Sequence, residues 1–210
     1  KLVNSFRSHA RTRGRRSIVD KLTHLMVHST LPYPARFRIA AQAGQLTKPL
    51  IRLLPDKLAA MVSLIPDTLP EAVEALPEVY PAQGHRRARV GLLTGCVQQV
   101  LAPRINRATL RVLAHNGVEV VVPRDQGCCG ALAIHAGDTG RARALARNNL
   151  QVFPTDLDAI LTTAAGCGSG VDEYELVFKG EPEEAQAVAF AHLTKDVSAF
   201  LDTLGIQNPS

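Results

Sequence analysis

No apolar run in this 210-residue sequence approaches the roughly 20 residues needed to cross a bilayer. Leu58 to Pro66 is among the most apolar stretches and is far too short, so the reading is of a chain without a transmembrane segment. Cys-x-x-Cys pairs are also missing, which weighs against the paired knuckles that structural zinc sites usually use. No Gly-x-Gly-x-x-Gly follows a strand-like run, so nothing here reads as a flavin or dinucleotide fingerprint. Low-complexity tracts and internal repeats are absent. The chain carries no secretory pattern and does not begin with Met, and the expectation is a processed protein or a fragment.

Acidic residues are scarce in the first part of the chain. Residues 1–90 carry 15 Lys/Arg against 6 Asp/Glu, whereas residues 91–210 carry 9 against 13. The formal net charge of +5 therefore describes neither half. The excess concentrates in Lys1 to Arg16, with no acid before Asp20. Nucleic acid, anionic lipid or an acidic protein would each be attracted to such a segment, and a solvated arm is the plain alternative. Charge alone names no partner, and nucleic acid is not among the partners expected from the rest of the chain.

Residues 1–84 read as a helical, basic appendage ending in a proline-containing linker. Apolar Ile18, Leu22, Leu25 and Met26 fit one helical face over Arg15 to His28, and Pro32 and Pro34 end it. Arg36 to Leu54 and Asp56 to Ile65 give two further helices separated by Pro55. Pro66, Pro70, Pro77 and Pro81 mark an extended linker with no strand pattern.

Residues 85–190 repeat a strand, loop and helix rhythm. Val90 to Thr94, Val118 to Val122 and Ala159 to Thr163 are short, apolar and rich in β-formers, as strands covered on both faces are. Helices expected over Pro103 to His115, Thr139 to Val152 and Gly168 to Phe178 separate or follow them, with Arg141, Arg143 and Arg147 on an exposed face. Glu183 to Leu204 reads as one more helix or a pair. The fold class is therefore α/β, a parallel-sheet, Rossmann-like domain preceded by the helical appendage.

Each of the three strands leads to cysteine beside glycine: Gly95-Cys96, Gly127-Cys128-Cys129-Gly130 and Gly166-Cys167-Gly168. Parallel strands put all four thiols at one sheet edge, the carboxyl ends of the strands. A metal or cluster site is the leading reading. Disulfides are disfavoured by the vicinal pair and by a reducing compartment. Core packing would leave the flanking glycines unexplained, whereas glycine lets backbone bend tightly and approach a bulky group. Four thiolates would also satisfy zinc, but these wide spacings suit a larger body such as a four-iron cluster. A redox-active thiol pair or a nucleophilic cysteine with His135 as its base stays open.

The segments Leu93-Thr94-Gly95-Cys96-Val97-Gln98, Gln126-Gly127-Cys128-Cys129-Gly130-Ala131-Leu132 with His135, Ala146-Arg147-Asn148-Asn149 and Thr163-Ala164-Ala165-Gly166-Cys167-Gly168 resemble the cysteine-rich Cys-Cys-Gly domain. Heterodisulfide reductase subunits, anaerobic glycerol-3-phosphate dehydrogenase, lactate-utilisation proteins and the iron-sulfur subunit of glycolate oxidase share it. Tyr33-Pro34-Ala35-Arg36 and Leu76 to Ala82 are similar to the last of these. The resemblance implies an electron-transfer subunit of a complex oxidising glycolate to glyoxylate, itself inactive when isolated, with flavin-bearing subunits as partners.

Under that resemblance the metal ligands are Cys96, Cys128, Cys129 and Cys167, holding a 4Fe-4S cluster or alternatively Zn. Gly127, Gly130 and His135 join the cofactor-binding set, and Arg124 and Asp125 either tune the cluster or face solvent. The family pattern ends in Cys-x-x-Cys, but here Gly170 takes the place of the last cysteine. Residues 191–210 resemble the start of a second repeat, so the chain resembles the middle of a longer protein. The location expected is cytoplasmic, with peripheral association at the inner membrane face left open. A related heterodisulfide-reductase-like or lactate-oxidising redox subunit, and a zinc-stabilised or cluster-free scaffold, are the other functions compatible with these residues.

Overall fold

The computed structural model describes residues 17–71 and 75–207, so the basic segment Lys1 to Arg16 lies outside the described residues. Helix α1 (Ile18–Thr30) begins where the Ser17 hydroxyl accepts the Asp20 amide at 3.1 Å, filling one of the open donors of the first turn. Pro34 does not merely stop α1; it opens α2 (Pro34–Thr47), where a missing N–H costs nothing. The single helix expected from Arg36 to Leu54 ends early. Pro49 cannot donate to the preceding turn, and the chain tightens into a 3-10 helix over Lys48–Leu53 before α3 (Asp56–Ser63).

Beyond these come β1 (Val79–Tyr80), β2 (Ala88–Leu93), α4 (Gln98–Leu101), α5 (Pro103–His115), β3 (Val118–Val121), α6 (Ala131–His135), α7 (Thr139–Val152) and β4 (Ala159–Thr162). The series ends with α8 (Ala165–Val171), α9 (Tyr174–Val177), α10 (Glu184–Leu193), β5 (Thr194–Asp196) and α11 (Val197–Leu204). The five strands form one sheet in the order β1-β3-β2-β4-β5, parallel except for β1. This is the α/β, mainly parallel, Rossmann-like arrangement expected.

Alternation along the strands builds two core layers. Val90, Leu92, Val118, Val120, Ala159 and Leu161 point to the face covered by Leu110 and Leu113 of α5 and by Phe200 and Leu201 of α11. Leu93, Val121 and Ile160 point to the opposite face, where Phe153, Tyr174, Phe178 and Phe190 pack. Phe190 sits edge-on to Phe153 at 5.5 Å and stacks on Tyr174 at 5.9 Å between centroids. Gly91 belongs to this second face, because a Cβ there would lie 2.8 Å from the Phe153 ring.

Three expectations of secondary structure change. Val79–Tyr80, read as linker, pairs antiparallel with β3, and two residues are too few to show a period. Thr194–Asp196, read inside a helix, is a strand running parallel to β4. Its residues are polar and half exposed, as suits a sheet edge. Residues 194–204 thus add a strand and a core-packing helix to this same sheet. Gly168 to Phe178 is two helices, and Cys167 lies inside the first rather than before it.

Arg143 and Arg147 are half-buried ties rather than a solvent face. The Arg147 guanidinium bridges both Glu183 oxygens at 2.6 and 3.2 Å. Arg143 donates to the Val177 carbonyl at 2.9 Å and pairs with Glu181 at 3.0 Å. No helix among the described residues is long and apolar enough to cross a membrane.

Candidate functional site

Strands β3, β2 and β4 are immediate neighbours, so the loops at their carboxyl ends meet. Cys128 and Cys129 lie on the loop after β3, Cys96 on the loop after β2, and Cys167 in the first turn of α8, just beyond β4. All four are free thiols; the vicinal pair is buried and the outer two are half-buried. The Cys96 and Cys128 sulfurs stand 3.4 Å apart. Cys129 is hydrogen-bonded to both Cys128 and Cys167, which closes the set.

Buried amides hold the loops in this arrangement. Asn149, fully buried on α7, accepts the Gly127 N–H at 2.8 Å and donates to the Cys128 carbonyl at 3.2 Å. The Tyr174 hydroxyl donates to the Cys129 carbonyl at 2.7 Å from beneath. Gln126 accepts the Thr94 N–H at 2.9 Å and donates to the Leu92 carbonyl at 3.1 Å, tying the loop after β3 to the one after β2. Asn106 donates to the Thr94 carbonyl at 2.9 Å, and Gln98 links Asn106 to Thr163 at 2.6 and 2.7 Å. Every loop is therefore fixed by side chains from another element.

Two glycines have specific work. Gly130 adopts φ 80° and its N–H donates to the Cys128 sulfur at 3.4 Å. A Cβ at Gly170 would stand 2.3 Å from the Ala131 Cβ and 2.7 Å from its Cα. The position of the family's final cysteine is thus occupied by close packing of α8 on α6. A side chain at this position would have to push α8 and α6 apart.

The sulfurs share protons unequally. Hydrogen bonds from Cys129 and Cys96, helped by the Gly130 amide and His28, pull the Cys128 thiol well below its ordinary range. Cys167 is lowered mainly by its hydrogen bond with Cys129. Cys96 is pushed up, first by its hydrogen bond with Cys128 and then by burial. Cys129 is raised by its two sulfur neighbours and by burial. The set is therefore uneven, with Cys128 and Cys167 biased toward the thiolate and Cys96 and Cys129 toward the protonated thiol.

The signs are opposite in the two pairs. The raised thiols, Cys96 and Cys129, contribute stability below their unfolded pKa and lose it as pH rises through the folded one. The lowered thiols contribute above the unfolded value and lose it as pH falls. A group that needs all four as thiolates must displace the protons that Cys96 and Cys129 retain. Loading the chain at pH 7 should accordingly release protons, and Cys96→Ser should release fewer. Calorimetry in buffers of different ionisation enthalpy measures this release.

His135 ends α6, half-buried. The histidine that bears most strongly on Cys128 is instead His28 of α1, which is buried and lies with its ring 4.0 Å from that of His24. His24 stands 4.0 Å from Asp138, the residue that caps α7. The N-terminal helix thus reaches the cysteine loops. Arg124 and Asp125 are exposed. Arg124 lies 3.5 Å from Glu78, and the Asp125 carbonyl accepts from Asn148 at 2.8 Å.

Asn106, Gln98, Tyr174 and His28 carry no role in the sequence reading. Asn106 and Asn149 betray themselves as polar residues on the apolar stripes of α5 and α7, and His24 and His28 as an i, i+4 pair. Gly127, expected to face the bound group, has its N–H engaged by Asn149. Asn149→Ala should cost about 1–3 kcal/mol for each buried loop group left unpaired. It should also weaken retention of a bound metal group about 10–100-fold. Denaturant melts and metal titration of the variant separate the two effects.

The donor set fits a thiolate-held group: four sulfurs, with a backbone N–H directed at Cys128, whose thiol is pulled well below its ordinary range. Among the described residues no group of three or more His, Cys, Asp or Glu is arranged to hold a single metal ion.

Residues 90–172 match the family model for the cysteine-rich domain named CCG. The chain is 32% identical over 188 residues to the "Probable glycolate oxidase iron-sulfur subunit" of Bacillus subtilis (strain 168), across 83% of this chain and 42% of that protein. It is 33% identical over 171 residues to the "Glycolate oxidase iron-sulfur subunit" of Escherichia coli (strain K12), across 80% of this chain and 39% of that protein. "Lactate utilization protein A" of Geobacillus kaustophilus (strain HTA426) is 30% identical over 122 residues, across 57% of this chain and 51% of that protein. The chain thus spans about two fifths of the length of the two glycolate oxidase subunits. No solved structure matches it. Residues 90–172, with the Cys-Cys-Gly loop at the carboxyl edge of the sheet, are thus the part of the chain that is similar to the CCG cysteine-rich domains.

Proposed function

We propose that this chain is the iron-sulfur, electron-transferring part of a complex that oxidises glycolate to glyoxylate, with Cys96, Cys128, Cys129 and Cys167 holding a 4Fe-4S cluster. The observation that carries this reading is the meeting of four thiols from three adjacent strand ends. When bound, such a cluster would supply a one-electron store. The chain's own residues provide the rest. Asn149, Tyr174, Gln126 and Asn106 keep the loops in place, the Gly130 amide directs a hydrogen bond at Cys128, and the core beneath Cys129 keeps water from one side. Four thiolates would also satisfy zinc, and zinc is the alternative that metal analysis tests.

Oxidation of the hydroxy acid itself belongs, in this reading, to flavin-bearing partner subunits. The similarity to lactate utilisation proteins makes lactate the competing substrate. Mixing the iron-loaded chain with those partners should bring glycolate-dependent reduction of an external acceptor up from background, and the chain alone should show none. Equal acceptor reduction by the partners without the chain would overturn the assignment, and reduction by lactate in place of glycolate would reassign the substrate.

A further inference from the structure

A cavity of about 490 Å³ lies between the N-terminal helices and α4, the turn of helix that follows Cys96. That volume is in the range of sites for small organic ligands, roughly 300–1,000 Å³. Met26 of α1, Phe37 and Ala40 of α2, Met61 of α3, and Ile65 and Val97 are among its walls. Thr30 is the one polar side chain lining it, and its hydroxyl already donates to the Met26 carbonyl at 2.7 Å. The walls present no charge, so a carboxylate, phosphate or sugar would lose its hydration there without recompense. An apolar molecule, by contrast, gains by leaving water for these walls.

Two further observations point to a flexible aliphatic occupant. The chain has only two methionines, and both line this cavity. Methionine is unbranched and polarisable, and it conforms to ligands of irregular shape. Leu64 is 81% exposed and Met26 39% exposed although both line the cavity, so they form a rim open to solvent. We propose that this cavity binds the hydrocarbon chain of an amphiphile, with the polar head left outside the rim at Met26 and Leu64. Because Val97 directly follows Cys96, the bound chain abuts a loop of the cysteine set.

The test uses the full chain carrying carbon-13 methyl groups on methionine, with Met26 and Met61 assigned from Met26→Leu and Met61→Leu. Titration with decanol should shift both methyl signals together and saturably, and butanol should need a far higher concentration. Ala40→Phe, which fills the cavity from its wall, should abolish the shift; Ala40→Leu should weaken it and serves if the larger variant does not fold. Phosphatidylcholine vesicles form a second arm. A shift with vesicles assigns the chain to a bilayer lipid, and a shift with decanol alone assigns it to a free amphiphile. No shift with either probe, or an undiminished shift in the filled variants, would overturn the proposal. Iron content, measured on the same samples, reports the cysteine site separately, so the two readings fail independently.

Discussion

Cys129→Ser is expected to strip the chain of bound iron and to stop electron flow through the complete complex. Cys129 is buried, as is Cys128, and interacts with both Cys128 and Cys167. Serine keeps the approximate shape but is a poor iron ligand. Since even the outer partners of metal ligands are worth about 10–100-fold, loss of a direct ligand should lower acceptor reduction by more than about 100-fold. Cys128→Ser should behave alike, because it removes the sulfur on which Cys96, Cys129 and the Gly130 amide converge. Flavin reduction by glycolate in the partner subunits should survive in both variants. Stopped-flow traces of the flavin beside steady-state acceptor reduction make the comparison. Unchanged turnover would leave the chain a scaffold.

The second large effect runs against simple motif completion. Gly170→Cys would restore the final cysteine of the family pattern, yet it should weaken the fold and add no ligand. The new Cβ would meet the Ala131 backbone, which cannot swing away as a flexible side chain can. Overpacking of this sort costs about 1–3 kcal/mol, occasionally more. For a chain of this length each kcal/mol is worth about 2–4 °C in Tm. Gly170→Ala should carry most of the same penalty, since the clash belongs to the Cβ. Differential scanning calorimetry of both variants, with iron per chain measured in parallel, checks the expectation. A stable Gly170→Cys chain that binds additional iron would show that α8 and α6 can separate.

The sheet's centre is legible in the sequence because its strands are covered on both faces. Val90 to Thr94, Val118 to Val121 and Ala159 to Thr162 are short, largely apolar runs with glycine-flanked cysteine beyond them. The edges lack such a signal. β1 has two residues, and β5 reads Thr-Lys-Asp, whose pairing depends on β4 already being in place. The gathering of the thiols follows from topology alone. The proton pattern among them does not, since it depends on which sulfurs meet at hydrogen-bonding distance. The reach of His28 to Cys128 likewise arises from helix packing across more than ninety residues of sequence, a distance over which local periodicity says nothing.

Arg143 and Arg147 show the limit of reading a charged helix face as solvent. Their partners, the Val177 carbonyl at the end of α9 and Glu181 and Glu183 in the segment after it, lie where no local pattern defines the path. Gly170 shows the reverse case. Its identity is plain in the sequence, yet its meaning appears only when α8 rests on α6.

The central claim is that the four thiols hold an iron-sulfur cluster, and the most direct measurement is iron, sulfide and zinc analysis of anaerobically purified protein, with its visible absorption recorded on the same sample. Iron and acid-labile sulfide in equal amounts, with broad thiolate-to-iron absorption that disappears in Cys129→Ser, is the expected result. Stoichiometric zinc without sulfide, or iron retained unchanged in Cys129→Ser, would contradict it.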